Sequence, residues 1–202
     1  YDIDNGEILI DGINIKSYSL KELRYKIGMV PQNATLFSGT IEENLRYGNE
    51  DATNEQMINA LKISQASEFV EKLKDGINTR INQGGKNFSG GQKQRLTIAR
   101  AIVRDPEILI LDDSASALDF ATDAALRKSL KEEAENKTVL IISQRISTIK
   151  NSDVIAVLDD GEIVGIGTHE NLLQYNKVHK EIYNSQNTEK DKETVERGSG
   201  NE

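Results

Sequence analysis

The sequence predicts an α/β fold with a mostly parallel sheet and an inserted helical subdomain. Three observations carry that prediction. The strand-length runs Glu107–Asp112, Thr138–Ser143 and Asp153–Leu158 are continuously apolar between their polar ends rather than alternating, which suits strands covered on both faces. A helical segment at about 120–135, with Leu126 and Leu130 on one face, separates the first two runs as a parallel crossover requires. A block of capped helices with little strand signal occupies about residues 38–87, or 38–92 once the helix start at Ser89 is included.

In chain order, Glu7–Gly12 and Ile13–Ile15 read as two short strands around a turn. Ser19 and Glu22 have capping-box spacing and open a short helix that ends before the apolar run Ile27–Pro31. In the inserted block Thr40 with Glu43 and Thr53 with Gln56 box two helices. Gly48 is a C-terminal stop for the first. Ser67 to Leu73 form a third helix, closed by Asp75-Gly76. Ser89 and Gln92 box the next helix, whose buried face is Leu96, Ile98, Ala99, Ala101, Ile102 and Val103. Asp160-Gly161 is a hairpin turn into Glu162–Ile166. From about 186 to 202 the chain is charged without apolar periodicity, which predicts a disordered tail after a domain of residues 1–185.

Composition narrows the class. A chain of 202 residues buries one core, so one domain or most of one is expected. The net charge of -8 argues against a nucleic-acid surface. Cysteine is absent, which removes disulfides and thiolate metal sites. His169 and His179 have no metal-ligand spacing and read as solvated helix residues. No run approaches the ~18 apolar residues of a membrane span. The opening Tyr1–Gly6 has neither an initiator Met nor a signal-peptide pattern and reads as the interior of a longer polypeptide.

The chemistry concentrates in Phe88–Arg95. Ser89, Gly90, Gly91 and Gln92 put a hydroxyl and a glycine pair at a helix start. There the backbone N–H groups are open and the helix dipole is positive, a combination suited to phosphate. Downstream, the apolar strand 108–111 ends in Asp112-Asp113, at the carboxyl end where α/β sheets bind ligands. A carboxylate there resembles a Walker B acid, which helps hold Mg²⁺ beside nucleotide phosphates.

Taken together, FSGGQKQRLTIARAIVRDPEILILDDSASALD resembles the ATP-binding domain of an ABC transporter, over about residues 1–185. The resemblance implies a P-loop NTPase fold of ABC type, ATP and Mg²⁺ as cofactors, and an ATPase coupled to transport. It makes Ser89 to Gln92 the signature motif, Asp112 the Walker B acid, and Ser116 to Asp119 the D-loop. Gln32 becomes the Q-loop glutamine beside Mg²⁺ and the γ-phosphate. Phe37–Leu45 is similar to the exporter type, in which this segment faces the membrane domain. That implies a transmembrane-domain partner, the cytoplasmic face of a membrane, and no nucleic acid. Asn, Lys and Ile usage suits an AT-rich bacterial genome.

Departures from the family pattern sharpen the expectation. Asp113 stands where the family has a catalytic Glu, one methylene shorter and too far back to polarise water in the usual geometry. Gln144 stands at the switch histidine. Glutamine can hydrogen-bond phosphate but carries no charge, unlike an imidazole of pKa near ~6.5. A misplaced general base costs about 10²–10⁴ in rate. The paired departures resemble the degenerate half of a heterodimeric exporter. Head-to-tail pairing then implies a second ABC subunit with Glu, His and an altered signature, whose ATP is capped by Ser89, Gly90 and Gly91. Gln83 replaces a usual Glu in Thr79–Gly85, which removes a charge from that coupling region. No G-x-x-x-x-G-K-[ST] loop occurs. The resemblance places that loop and an adenine-stacking aromatic upstream of Tyr1, so residues 1–202 alone are expected to bind ATP weakly and to be inactive. Two alternatives stand beside this one: a non-hydrolytic regulatory ATP-binding module, and a non-transport ABC ATPase, which the acidic charge disfavours.

Overall fold

The computed structural model describes residues 3–114, 116–133 and 137–198, and for 188–198 the backbone alone. Two compact units divide at 142/143. In the first, β1 (Leu9–Ile10) and β2 (Ile13–Asn14) form an antiparallel pair, followed by α1 (Leu20–Lys26) and β3 (Ile27–Val30). The helical block runs β4 (Gly39–Thr40), α2 (Ile41–Arg46), α3 (Asn54–Ile63), α4 (Ser67–Val70) and β5 (Arg80–Ile81). Then come α5 (Gly90–Ile102), β6 (Ile108–Asp112), α6 (Phe120–Glu133) and β7 (Thr138–Ile142). The central sheet is parallel in the order β3-β6-β7, so the α/β class and the right kind of crossover are both present. Residues 134–135, the predicted end of the crossover helix, and Tyr1-Asp2 lie outside the described residues.

All four predicted capping boxes close in both directions, at Ser19/Glu22, Thr40/Glu43, Thr53/Gln56 and Ser89/Gln92. Each satisfies two of the orphan N–H groups at a helix start. Two details of the helical block differ from expectation. The third helix is the single turn α4, because 3₁₀-type bonds take over at Lys72 and Leu73. Gly39-Thr40 also pairs with Arg80-Ile81, so a two-residue ladder closes the insertion at its base.

Helix α5 lies between two apolar cores. Leu96, Ala99 and Val103 join α2, α3 and α4 residues, whereas Ile98 and Ala101 join Val30, Leu109, Leu111, Leu126 and Leu130. The sheet corrects one expectation. Leu109 and Leu111 are buried, but Met29, Leu140 and Ile142 on the other face stay about half exposed. Continuous apolar strands are what a two-faced parallel sheet needs. Among the described residues, α5 and α6 supply a layer on one face.

The second unit holds α7 (Ile146–Ile149), β8 (Ile155–Asp159), β9 (Glu162–Gly167), α8 (His169–Tyr175) and α9 (Lys177–Gly198); the third apolar run, expected in the parallel sheet, instead forms β8 and pairs antiparallel with β9 across the hairpin turn. The hairpin turns at Asp160 and Gly161, φ 47° and 81°, where both central residues need a left-handed backbone. Helix α9 continues to Gly198 where the composition predicts a disordered tail; no Gly or Pro interrupts its Lys- and Glu-rich stretch before that point. Residues 199–202 lie outside the described residues. The histidines also correct the sequence: His179 is 2% exposed, with His169 Nδ1 and His179 Nε2 2.9 Å apart. Ten residues of separation place both rings in the joint between α8 and α9, a contact that periodicity within either helix does not reveal.

Candidate functional site

At the start of α5, Ser89 has extended backbone, and its Oγ accepts from the Gln92 N–H at 3.2 Å. Gln92 Oε1 accepts from the Ser89 N–H at 2.9 Å. With the third N–H thus taken, the N–H groups of Gly90 and Gly91, at the first two helical positions, have no intrahelical acceptor. Ser89 and Gly90 are exposed. A Cβ on Gly90 would meet nothing within 4 Å, whereas one on Gly91 would stand 3.2 Å from the Ala117 carbonyl oxygen. The helix start therefore abuts the loop 116–119, and Gly91 permits that approach. The folding reason is local: the box fixes the first turn, and the two cores fix the rest of the helix.

Asp119, at the end of that loop, serves α6. Its two carboxylate oxygens accept from the Thr122 N–H at 2.9 Å and the Thr122 hydroxyl at 2.8 Å. These bonds hold the Asp119 carboxyl below its ordinary pKa. The spacing Asp119-x-x-Thr122 could have signalled this cap in the sequence.

Strand β6 carries Asp112 to its carboxyl end, paired with Ile142 of β7. Asp113 then leaves the strand in left-handed backbone, φ 42°, a region that Asp tolerates better than most side chains. Its N–H donates to the Ile142 carbonyl at 2.8 Å, and its carbonyl accepts from the Ser116 N–H and hydroxyl at 3.2 and 2.9 Å. Gln32, beyond the end of β3, donates from Nε2 to Asp113 Oδ2 at 3.3 Å. The parallel register Val30–Leu111 brings together these two residues 81 positions apart. Asp112, Asp113 and Gln32 are thus neighbours at one end of the sheet. Gln144 belongs to the second unit, where its side chain is exposed and its carbonyl accepts from Gln186 Nε2 at 2.7 Å.

The exporter-like segment has its own order. The Asn44 side chain, 1% exposed, donates to the Phe37 and Thr40 carbonyls and accepts from the Phe37 N–H. Phe37 and Tyr47, both exposed, meet with ring centroids 4.7 Å apart, and Arg100 lies over Phe37 at 5.1 Å. Burial pushes the Arg100 guanidinium below its usual pKa, and one of its nitrogens donates to the Thr35 carbonyl at 2.9 Å.

The Asp112 carboxylate and Gln32 Oε1 are hard oxygen donors of the type that would suit Mg²⁺. Among the described residues no group of three or more His, Asp or Glu stands together as a self-sufficient metal site. No helix among them is long and apolar enough to cross a membrane.

A family model described as ABC transporter matches residues 1–116. The ATP-dependent lipid A-core flippase of Mannheimia succiniciproducens is 45% identical over 187 residues, 92% of this chain and 32% of that protein. ABC transporter B family member 2 of Dictyostelium discoideum is 44% identical over 186 residues, 92% of this chain and 13% of that protein. A solved structure of a bacterial Atm1-family ABC exporter with ATP bound superposes with a TM-score of 0.88 at 37% sequence identity, over 92% of this chain and 33% of that one. The chain spans a third or less of the length of these relatives.

Proposed function

The chain belongs to the ABC transporter family and has the ATPase-domain fold of its exporters, and on that premise we propose that it is the degenerate-site cassette of a heterodimeric exporter. It lends the start of α5 to ATP held by the partner subunit and turns over its own ATP slowly or not at all. The Phe37/Tyr47 face docks on a transmembrane domain, which places the cassette on the cytoplasmic face of a membrane.

One contrast supports this most strongly. The α5 start keeps its capping box and offers the Gly90 and Gly91 N–H groups, while Asp113 is short, left-handed in backbone and already bonded to Gln32. At the donated end, Ser89 Oγ accepts from Gln92 and so keeps its own proton for a phosphate oxygen. Gly90 and Gly91 add two backbone donors at the positive end of the dipole. At the chain's own end, Asp112 and Gln32 Oε1 would hold Mg²⁺, which neutralises charge on the phosphates when bound. Gln144, two residues past the end of β7, can bond a γ-phosphate without carrying charge. Asp113 is one methylene shorter than the family's Glu, and its Oδ2 accepts from Gln32 Nε2 at 3.3 Å, which draws the carboxylate towards Gln32 rather than out to an attacking water. A base misplaced by 10²–10⁴ in rate corresponds to roughly 3–5 kcal/mol of barrier.

Single-turnover ATPase measurements on the full-length heterodimer test this. Restoring Asp113→Glu and Gln144→His together is expected to speed turnover at this chain's site by about 10²-fold or more. An unchanged rate would sink the degenerate-site scheme and leave the non-hydrolytic regulatory module, in which bound ATP holds the dimer together.

A further inference from the structure

Among the described residues, the segment 143–146 that follows β7 belongs to no strand, and side chains hold its backbone. The Arg145 N–H donates to Ser143 Oγ at 3.0 Å. Ile146 opens α7, but the N-cap position is Arg145, whose guanidinium has only donors and makes no capping bond. Gln186, 40 residues on and in α9, supplies what is missing. Its Oε1 accepts from the Ile146 N–H at 2.9 Å, and its Nε2 donates to the Gln144 carbonyl at 2.7 Å. One carboxamide thus brackets Arg145, using both its acceptor and its donor as a neighbouring strand would.

The clamp is only as firm as α9, and α9 is seated well. The Asn176 side chain donates to the Val164 carbonyl at 2.8 Å and accepts from the His179 N–H at 2.8 Å. The buried His179 ring bonds His169, and Tyr183 meets His169 at a tilt with centroids 5.4 Å apart. Val178 packs with Ile155, Val157 and Leu172. Tyr183 and Gln186 are three residues apart, so they lie on the same side of the helix.

We propose that Gln186 is a positioning residue for Gln144, fixing the backbone that carries that side chain. The proposal rests on Gln144 as the switch-position residue of the function given above. The experiment uses the full-length transporter and two readouts. A nitroxide label on Gln144→Cys reads position 144 directly, whatever the site does with ATP. Gln186→Ala should loosen the label and speed amide exchange at Ile146 by roughly 3- to 10-fold, the worth of a net hydrogen bond. In the Asp113→Glu/Gln144→His background it should lower kcat by about tenfold, one decade of barrier, with the KM for ATP unmoved. Gln186→Glu, which keeps the acceptor for Ile146 but not the donor to Gln144, should loosen the label while leaving Ile146 protected; it also serves if the alanine variant fails to fold. An immobile label in both variants overturns the proposal, as does a loosened label with unchanged kcat in an activated background. If the double restoration itself gives no gain, the degenerate-site scheme fails, and the label and exchange alone decide the clamp.

Discussion

The start of α5 and the end of β6 present opposite solutions to the same task of holding polar groups ready at a strand or helix terminus. At α5 the side chains satisfy one another reciprocally and leave two backbone N–H groups outward, on a helix fixed by residues that are 0–9% exposed. At β6 the polar groups bond to one another in part, Gln32 Nε2 to Asp113 Oδ2 and the Ser116 hydroxyl to the Asp113 carbonyl. The lesson is that an intact cap leaves backbone donors open, whereas at the acid a neighbouring amide already engages one acceptor oxygen.

The largest effects should come from undermining the support of α5. Leu96→Ala, at 1% exposure between α5 and the helical block, is expected to cost about 2–5 kcal/mol of stability in chemical denaturation. A loss under 1 kcal/mol would mean that α5 is less firmly seated than its burial indicates. Next, Gly91→Val places a branched Cβ near the Ala117 carbonyl and over the exposed donors. ATPase turnover of the full transporter should fall by about 10²–10³, the usual loss when an oxyanion donor is removed. Near-normal turnover would separate the helix start from the chemistry.

Asp113→Glu alone sharpens the other end. The left-handed backbone there disfavours a longer, less self-bonding side chain, so stability should drop by up to about 1 kcal/mol. An unchanged denaturation midpoint would show that the backbone relaxes freely. The smallest effect concerns the second unit. Burial and the neighbouring His169 depress the His179 pKa, so the folded state favours the neutral ring. Its contribution is complete above the unfolded value near ~6.5 and is lost as pH falls through that value towards the lower folded one. Thermal midpoints of the full-length protein should therefore decline below about pH 6.5, and His179→Phe should flatten that slope.

The two ends also differ in how far the sequence disclosed them. The four capping boxes were legible because their partners lie three residues apart and the residue types admit one local geometry. The β6 end was legible only as an apolar run closing on acids. The Gln32 bond depends on parallel register across 81 residues, and the φ of Asp113 has no signature in composition. The same non-locality hid the Gly39–Ile81 ladder, the His169–His179 contact and the Gln186 clamp. Helix α9 escaped for a different reason: high charge predicts weak packing, but helix propensity needs no core.

The comparison is tested most directly by steady-state ATPase assays on the full-length transporter carrying Ser89→Ala or Asp113→Asn in this chain alone. Donation of the α5 start predicts a loss of about 10²-fold or more for Ser89→Ala and a loss at least tenfold smaller for Asp113→Asn. Equal losses, or the larger loss at Asp113, would contradict it and make the β6 end a working catalytic site.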